Sequence, residues 1–157
     1  MNQAGVVVLI EQQSNAVILT TRNKTMRHHP GEICFPGGRR HDEDRDLYQT
    51  ALRELHEELG IPAARVQLVK ALRPELTLTG YLIQPWLATI STLEPYSPNH
   101  HEVEDVLLVP LSEVCKRQNY RSYEVIKYGK RLISLAYKSD VGLIWGATAR
   151  IMKQLCE

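Results

Sequence analysis

Along most of this chain, apolar residues come in short runs or alternate with polar ones. Segments 5–10, 16–21, 66–72, 81–90, 106–109, 124–128 and 131–137 are short, rich in β-branched and aromatic residues and bounded by turn residues. That pattern predicts strands. The tetrad Tyr128-Gly129-Lys130-Arg131 predicts a hairpin turn between the last two. Two stretches instead follow the helical period. In Leu47–Leu59, Tyr48, Leu52, Leu55 and Leu59 share one face at about 100° per residue. Asp44 and Asp46 are candidate N-terminal caps, and Gly60 followed by Pro62 is a stop signal. A second helix is expected from a cap at Asp140 to about Leu155, burying Leu143, Ala147, Ile151 and Leu155. Strands, hairpins and helices intermix, which predicts an α+β class or a mixed three-layer sandwich. At 157 residues the chain is most simply one domain, 1–157, long enough to bury a core.

The polar face of the first helix is unusual. It carries Glu54, Glu57 and Glu58 within about a turn, beside Arg53. Like charges at this spacing repel by about 0.2–0.5 kcal/mol per pair. They also lie toward the C-terminal end, where the helix dipole disfavours anions. Bound Mg²⁺ or Mn²⁺ reverses that sign, because hard cations take carboxylate oxygens and neutralise the cluster. The competing reading is a solvated acidic face on which Arg53 pairs with Glu57 at i,i+4. The preceding loop favours the metal reading. Phe35-Pro36-Gly37-Gly38 permits backbone conformations closed to other residues, so a glycine carbonyl can become a further oxygen ligand.

Together, the loop and helix resemble the Nudix hydrolase family. The run Arg53-Glu54-Leu55-His56-Glu57-Glu58-Leu59-Gly60-Ile61 matches the second half of that family's box. The first half departs from it: one residue too many separates Gly38 from Arg53, and the first acidic position is Asp44 instead of glutamate. Both departures resemble the coenzyme A pyrophosphatase branch. That branch's longer motif is also matched by Leu19-Thr20, Arg22, Gly31, Ile33, Phe35-Pro36-Gly37-Gly38 and Thr50-Ala51-Leu52-Arg53-Glu54. Asn23 and Leu55 stand where the branch has serine and alanine.

The resemblance implies a Nudix-type α/β/α sandwich with a mixed β-sheet, and metal-dependent hydrolysis of a nucleoside diphosphate derivative. By position in the box, Glu54 and Glu58 become metal ligands, Glu57 a further ligand or the base that activates water, and Gly38 a carbonyl ligand. Arg53 orients a box glutamate, and Asp44 is a structural or outer-shell acid. Glu102, in Asn99-His100-His101-Glu102-Val103, fits the branch's downstream acidic position as ligand or base; an ordinary acidic loop is the competing reading. His100 and His101 lack the partners of a soft-metal site and are expected to be solvated. Arg22, Lys24, Arg27, His28 and His29 form a basic cluster. Arg22 or Arg27 is the candidate contact for a substrate phosphate, with a solvated loop as the alternative.

Composition narrows the partners. Nineteen basic and 18 acidic residues leave a formal net charge of +1, which gives no sign of a nucleic-acid or membrane partner. No apolar run approaches the roughly 18 residues of a membrane span, and no basic-then-apolar leader opens the chain. Cys34, Cys115 and Cys156 are odd in number and widely spaced, and are expected to be reduced thiols in a cytoplasmic protein. The partner implied is a small-molecule nucleotide of the coenzyme A class; a homodimer stays open. Three functions remain in play: a coenzyme A diphosphatase, a diphosphatase for another substrate such as ADP-ribose, a dinucleotide or a nucleoside triphosphate, and a Nudix-fold binding module without catalysis. The intact glutamates count against the last.

Overall fold

The computed structural model describes residues 2–127 and 129–157. It holds β1 (Asn2–Glu11), β2 (Ala16–Arg22), β3 (Ile33–Cys34), β4 (Gly37–Arg39), α1 (Leu47–Leu59), β5 (Gln67–Ala71), β6 (Glu75–Leu76), β7 (Tyr81–Ile90) and β8 (Val103–Pro110). After these come α2 (Leu111–Val114), β9 (Tyr120–Lys127), β10 (Lys130–Ser139), β11 (Gly142–Trp145) and α3 (Ala147–Gln154). The main sheet is mixed, as expected. β1 runs parallel to β7 over their whole length, and its other described pairings, with β2 and β4, are antiparallel. A second, antiparallel sheet has the order β11-β10-β9.

Strand alternation explains the layers. Along β1, Val7 and Leu9 pack with Ala51, Leu55 and Leu59 of α1. Val8 and Ile10 belong to the opposite core, with Val17, Leu19, Tyr137 and the α3 residues Ile151 and Met152. A period of two along one strand thus serves helices on both faces. β1 pairs with β2 only at Ile10↔Val17 and Glu11↔Ala16, and with β4 at Ala4–Val6. This hand-over brings the Gly37-Gly38 backbone against the sheet beneath α1. The helix approaches closely there: a Cβ on Gly5 would lie 2.1 Å from the Leu47 carbonyl oxygen.

Several expectations are corrected. In α1 the fully buried face is Ala51, Leu55 and Leu59, while Tyr48 and Leu52 are only half-buried. The expected second helix is a strand followed by a short helix. Gly142 (φ 122°) and Gly146 (φ 71°) take backbone conformations no right-handed helix contains, and β11 pairs with β10 at Tyr137↔Ile144. Leu143 is consequently exposed, and α3 buries Ala149, Ile151 and Met152. Of the expected turn 128–131, Tyr128 lies outside the described residues; Lys127 and Lys130 are antiparallel partners.

The cysteine expectation also fails. Cys115, just after α2, and Cys156, just after α3, form a disulfide with Cα atoms 5.3 Å apart. The pairing joins two ends 41 residues apart in sequence, which spacing does not signal. Cys34 is free, and burial, reinforced by Glu58, pushes its thiol up to about 12. No helix among the described residues is long and apolar enough to cross a membrane.

Candidate active site

Both ends of α1 are tied down. Asp46 caps the start, its carboxylate accepting from the Gln49 N–H at 2.8 Å. Gly60 ends the helix at φ 68°, donating to the His56 carbonyl at 2.9 Å. The last turn's free carbonyls are taken by a loop: the Ser97 and Asn99 N–H groups donate to Leu59 and Glu58, both at 2.8 Å. The Asn99 carbonyl in turn accepts from Glu102 and Val103, which sets Glu102 beside the helix. Asn23 closes the arrangement, donating through its side chain to the His100 carbonyl at 2.7 Å and through its backbone to the Glu102 carbonyl at 2.8 Å. Spacing in the sequence does not signal this stitching, because the partners that Asn99 and Asn23 bind are backbone groups.

The glutamates have different environments. Glu58 is buried and accepts from the Gly37 N–H at 3.2 Å. Glu54 lies over Gly38, where a Cβ would stand 2.6 Å from its carboxyl carbon. Glu57 is exposed, its Oε1 held by Arg53 at 3.2 Å. Burial and the neighbouring Glu54 push the Glu58 carboxyl well above the usual range. Burial and Glu57 push Glu54 up as well, against the pull of Arg53. Two carboxylates crowded under low-dielectric cover hold more negative charge than Arg53 offsets, and a hard divalent cation fits that deficit. Among the described residues, however, no three histidine, cysteine or carboxylate side chains already form a ready-made metal cage.

Arg53 has a larger role than an i,i+4 partner. Its guanidinium grips Asp44 through Nε and Nη2, both at 3.1 Å, and donates to the Arg39 carbonyl at 3.0 Å. Its Nη1 reaches Glu54 at 3.1 Å as well as Glu57. Asp44 is buried and also accepts from the His41 N–H at 2.9 Å and the Thr50 hydroxyl at 2.8 Å. Arg53 beside it holds its carboxyl well below the usual carboxylate range. Asp44 therefore anchors Arg53 instead of capping the helix, and Arg53 fixes two box glutamates.

A cavity of about 620 Å³ opens beside this cluster. Glu54, Glu58, Glu102, Gly37, Gly38 and Arg22 all line it. Arg22 is fixed at its edge by a bond from Nε to the His28 carbonyl at 3.0 Å. Arg27 is exposed and, like Glu57, is not among the lining residues. Arg39, which belongs to no motif of the sequence, also lines the cavity; its guanidinium sits 5.5 Å from the Tyr81 ring centroid. Its position directly after the two glycines was the available signal.

A carboxylate cluster against a glycine loop, roofed by an α/β/α sandwich and opening on a cavity with arginines, defines a hydrolase-type site for phosphate anhydrides. Comparison with known proteins agrees. The NUDIX domain model matches residues 1–128. An "Uncharacterized Nudix hydrolase NudL" from Photorhabdus laumondii is 34% identical over 154 residues, covering 98% of this chain and 82% of that protein. The protein of the same name from Enterobacter sp. is 33% identical over 155 residues, covering 98% and 80%. The chain belongs to the Nudix hydrolase family, enzymes acting on phosphorus-containing anhydrides and generally using divalent metal ions. Among solved structures, a C. elegans Ap4A hydrolase binary complex aligns with TM-score 0.58 at 18% identity, covering 69% of this chain and 80% of that one. The NUDIX domain of Shewanella oneidensis NrtR complexed with ADP ribose aligns at 0.53 and 22%, covering 71% and 74%. At such identities the likeness is one of fold.

Proposed function

We propose that this enzyme hydrolyses the diphosphate bond of coenzyme A or its thioesters, giving 3′,5′-ADP and 4′-phosphopantetheine or its acyl form. The observation that carries the reading is a single cavity lined by Glu54, Glu58 and Glu102 together with Arg22, on a chain whose motif resembles the coenzyme A branch. Carboxylates alone suit any nucleoside diphosphate. A guanidinium beside them suits a substrate with a further phosphate.

Glu54 and Glu58 would hold Mg²⁺ or Mn²⁺, with the Gly38 carbonyl as a further ligand, Glu57 joining only if released from Arg53, and substrate phosphates supplying remaining positions. When bound, the cation offsets phosphate charge and lowers the pKa of a coordinated water. Glu102 is favoured over Glu57 to accept the proton from the attacking water. It lines the cavity, whereas Glu57 lies outside it and is held by Arg53. Arg53 positions Glu54 and Glu57 without touching substrate. The whole chain 1–157 is taken as one working unit, because Ser134 and Trp145, beyond the matched segment, line the same cavity.

The test is to incubate the protein with Mg²⁺ or Mn²⁺ and coenzyme A, acyl-coenzyme A, ADP-ribose, NADH, dinucleoside polyphosphates or nucleoside triphosphates, and to identify products by mass. Cleavage of coenzyme A to 3′,5′-ADP is expected, with Arg22→Ala raising KM for coenzyme A more than for its dephospho form. Turnover of ADP-ribose without coenzyme A would overturn the substrate assignment.

A further inference from the structure

The cavity continues well past the carboxylates. On the sheet, Gly38 stands level with Gly5 and, across it, Gln84. Tyr81, also in the cavity wall, is three residues further along β7, about 10 Å at roughly 3.3 Å per residue. Beyond it, the turn 77–79 and the first turn of α3 close the far end.

The two ends differ in charge. Near α1 lie the glutamates and Arg22. Toward the far end both guanidiniums are already engaged: Arg150 Nε donates to Glu75 Oε2 at 3.0 Å and its Nη1 to the Ser134 hydroxyl at 3.2 Å, and Arg39 lies over the Tyr81 ring. What remains in that wall is hydroxyl and hydrocarbon, from Thr77, Thr79 and Thr148 and from Leu78, Tyr81 and Trp145. Leu78 is 43% exposed, an apolar side chain at the cavity edge that a ligand would cover. Trp145, Thr148 and Arg150 come from chain beyond residue 128, where the family match ends. This end is therefore shared between the turn 77–79 with Tyr81, inside the matched segment, and residues beyond it.

We propose that the far end is a subsite for an uncharged, amide-bearing aliphatic arm attached to the diphosphate, with Leu78 and Trp145 as its apolar contacts and the threonine hydroxyls as partners for its amides. This rests on the coenzyme A reading and assigns where the pantetheine arm lies. The nucleotide half of that substrate carries an extra phosphomonoester. Its charge suits Arg22, whose Nε is bonded to a carbonyl and not to a carboxylate, better than an end where Arg150 has a carboxylate partner and Arg39 lies over the Tyr81 ring. The rings at the far end are also partly engaged: Tyr81 by the Arg39 guanidinium, and Trp145 by Tyr123 at 5.9 Å between centroids. Neither presents the open two-sided slot of a stacked base.

The experiment separates the arm from the chemistry. Pantetheine, which has no phosphate, is titrated into metal-free protein while the Trp145 indole N–H is followed by NMR, with Trp86 as internal reference. A saturable shift at Trp145 is expected. Leu78→Asp is expected to weaken binding about tenfold, since one apolar contact is lost and a charge faces the arm. Leu78→Ser moves in the same direction without adding charge. No saturable shift, equal affinity in both variants, or displacement of pantetheine by adenosine overturns the subsite. Turnover is read separately. Pantetheine binding at Trp145 without coenzyme A hydrolysis overturns the hydrolytic reading and keeps the subsite. Coenzyme A hydrolysis with unchanged KM in Leu78→Asp overturns the subsite alone.

Discussion

One methyl group placed at Gly38 or at Gly5 tests the active site and its scaffold separately. A Cβ on Gly38 would meet Glu54 Cδ at 2.6 Å and its two oxygens at 2.8 and 2.9 Å. Ordinary carbon contacts are about 3.5–4.0 Å, so the carboxylate must retreat by about 1 Å. It lies at the end of a flexible side chain and is able to move without disturbing α1. A displacement of about 1 Å in a catalytic group costs on the order of 100-fold in rate. Gly38→Ala is therefore expected to melt near the wild-type temperature and to lose about two orders of magnitude in kcat. Gly5→Ala poses the opposite problem. Its Cβ would meet the Leu47 backbone oxygen at 2.1 Å and the Ala51 nitrogen at 3.2 Å. Backbone cannot swing aside, so α1 must lift from β1. Overpacking of this kind costs about 1–3 kcal/mol or more, and each kcal/mol lowers Tm by about 2–4 °C in a chain of this size. The assay pairs thermal melts with diphosphate hydrolysis under saturating metal. Wild-type turnover in Gly38→Ala would show that Glu54 is not at the reacting diphosphate. A wild-type Tm in Gly5→Ala would refute the close helix approach.

Glu58→Gln is expected to abolish most turnover yet raise the Tm of metal-free protein at pH 8. The raised pKa of Glu58 means its stability contribution is present at acid pH and lost as pH rises through the folded value; added Mg²⁺ should stabilise wild type more than the variant. Asp44→Asn takes the main partner from Arg53, which keeps Glu54, Glu57 and the Arg39 carbonyl, and should cost about 1.5–3 kcal/mol in chemical denaturation. Because Arg53 lowers the Asp44 pKa, that contribution is present above the ordinary aspartate value near about 3.9 and lost as pH falls below it. A gap between wild type and variant that stays constant down to pH 2 would contradict the pairing. Closing a loop across 41 residues is worth about 4 kcal/mol in the chain-entropy account. Reductant and the double variant Cys115→Ser/Cys156→Ser should therefore lower Tm alike, and labelling of Cys115 and Cys156 beside Cys34 in the native, unreduced protein, read by mass, would refute the disulfide.

The amino-acid sequence by itself determined the local chemistry. Helix α1, its stop at Gly60, strand β7 and the glutamate box are short-range features, set by side-chain period, capping and glycine conformation. Tertiary structure decided what those features face. The Asp44 carboxylate, read as a cap, turned nine residues along to Arg53, because a buried charge needs a partner that only packing supplies. The first half of the expected second helix gave way to β11, because pairing with β10 and two glycines in left-handed or otherwise helix-breaking conformations outweighed its apolar period, while the second half stands as α3. Cys115 met Cys156, and Ser134, Trp145 and Arg150 came to the cavity wall, through long-range contacts that leave no periodic trace. Local propensity writes elements into sequence, whereas the surroundings of a side chain are fixed only when distant elements exclude water together.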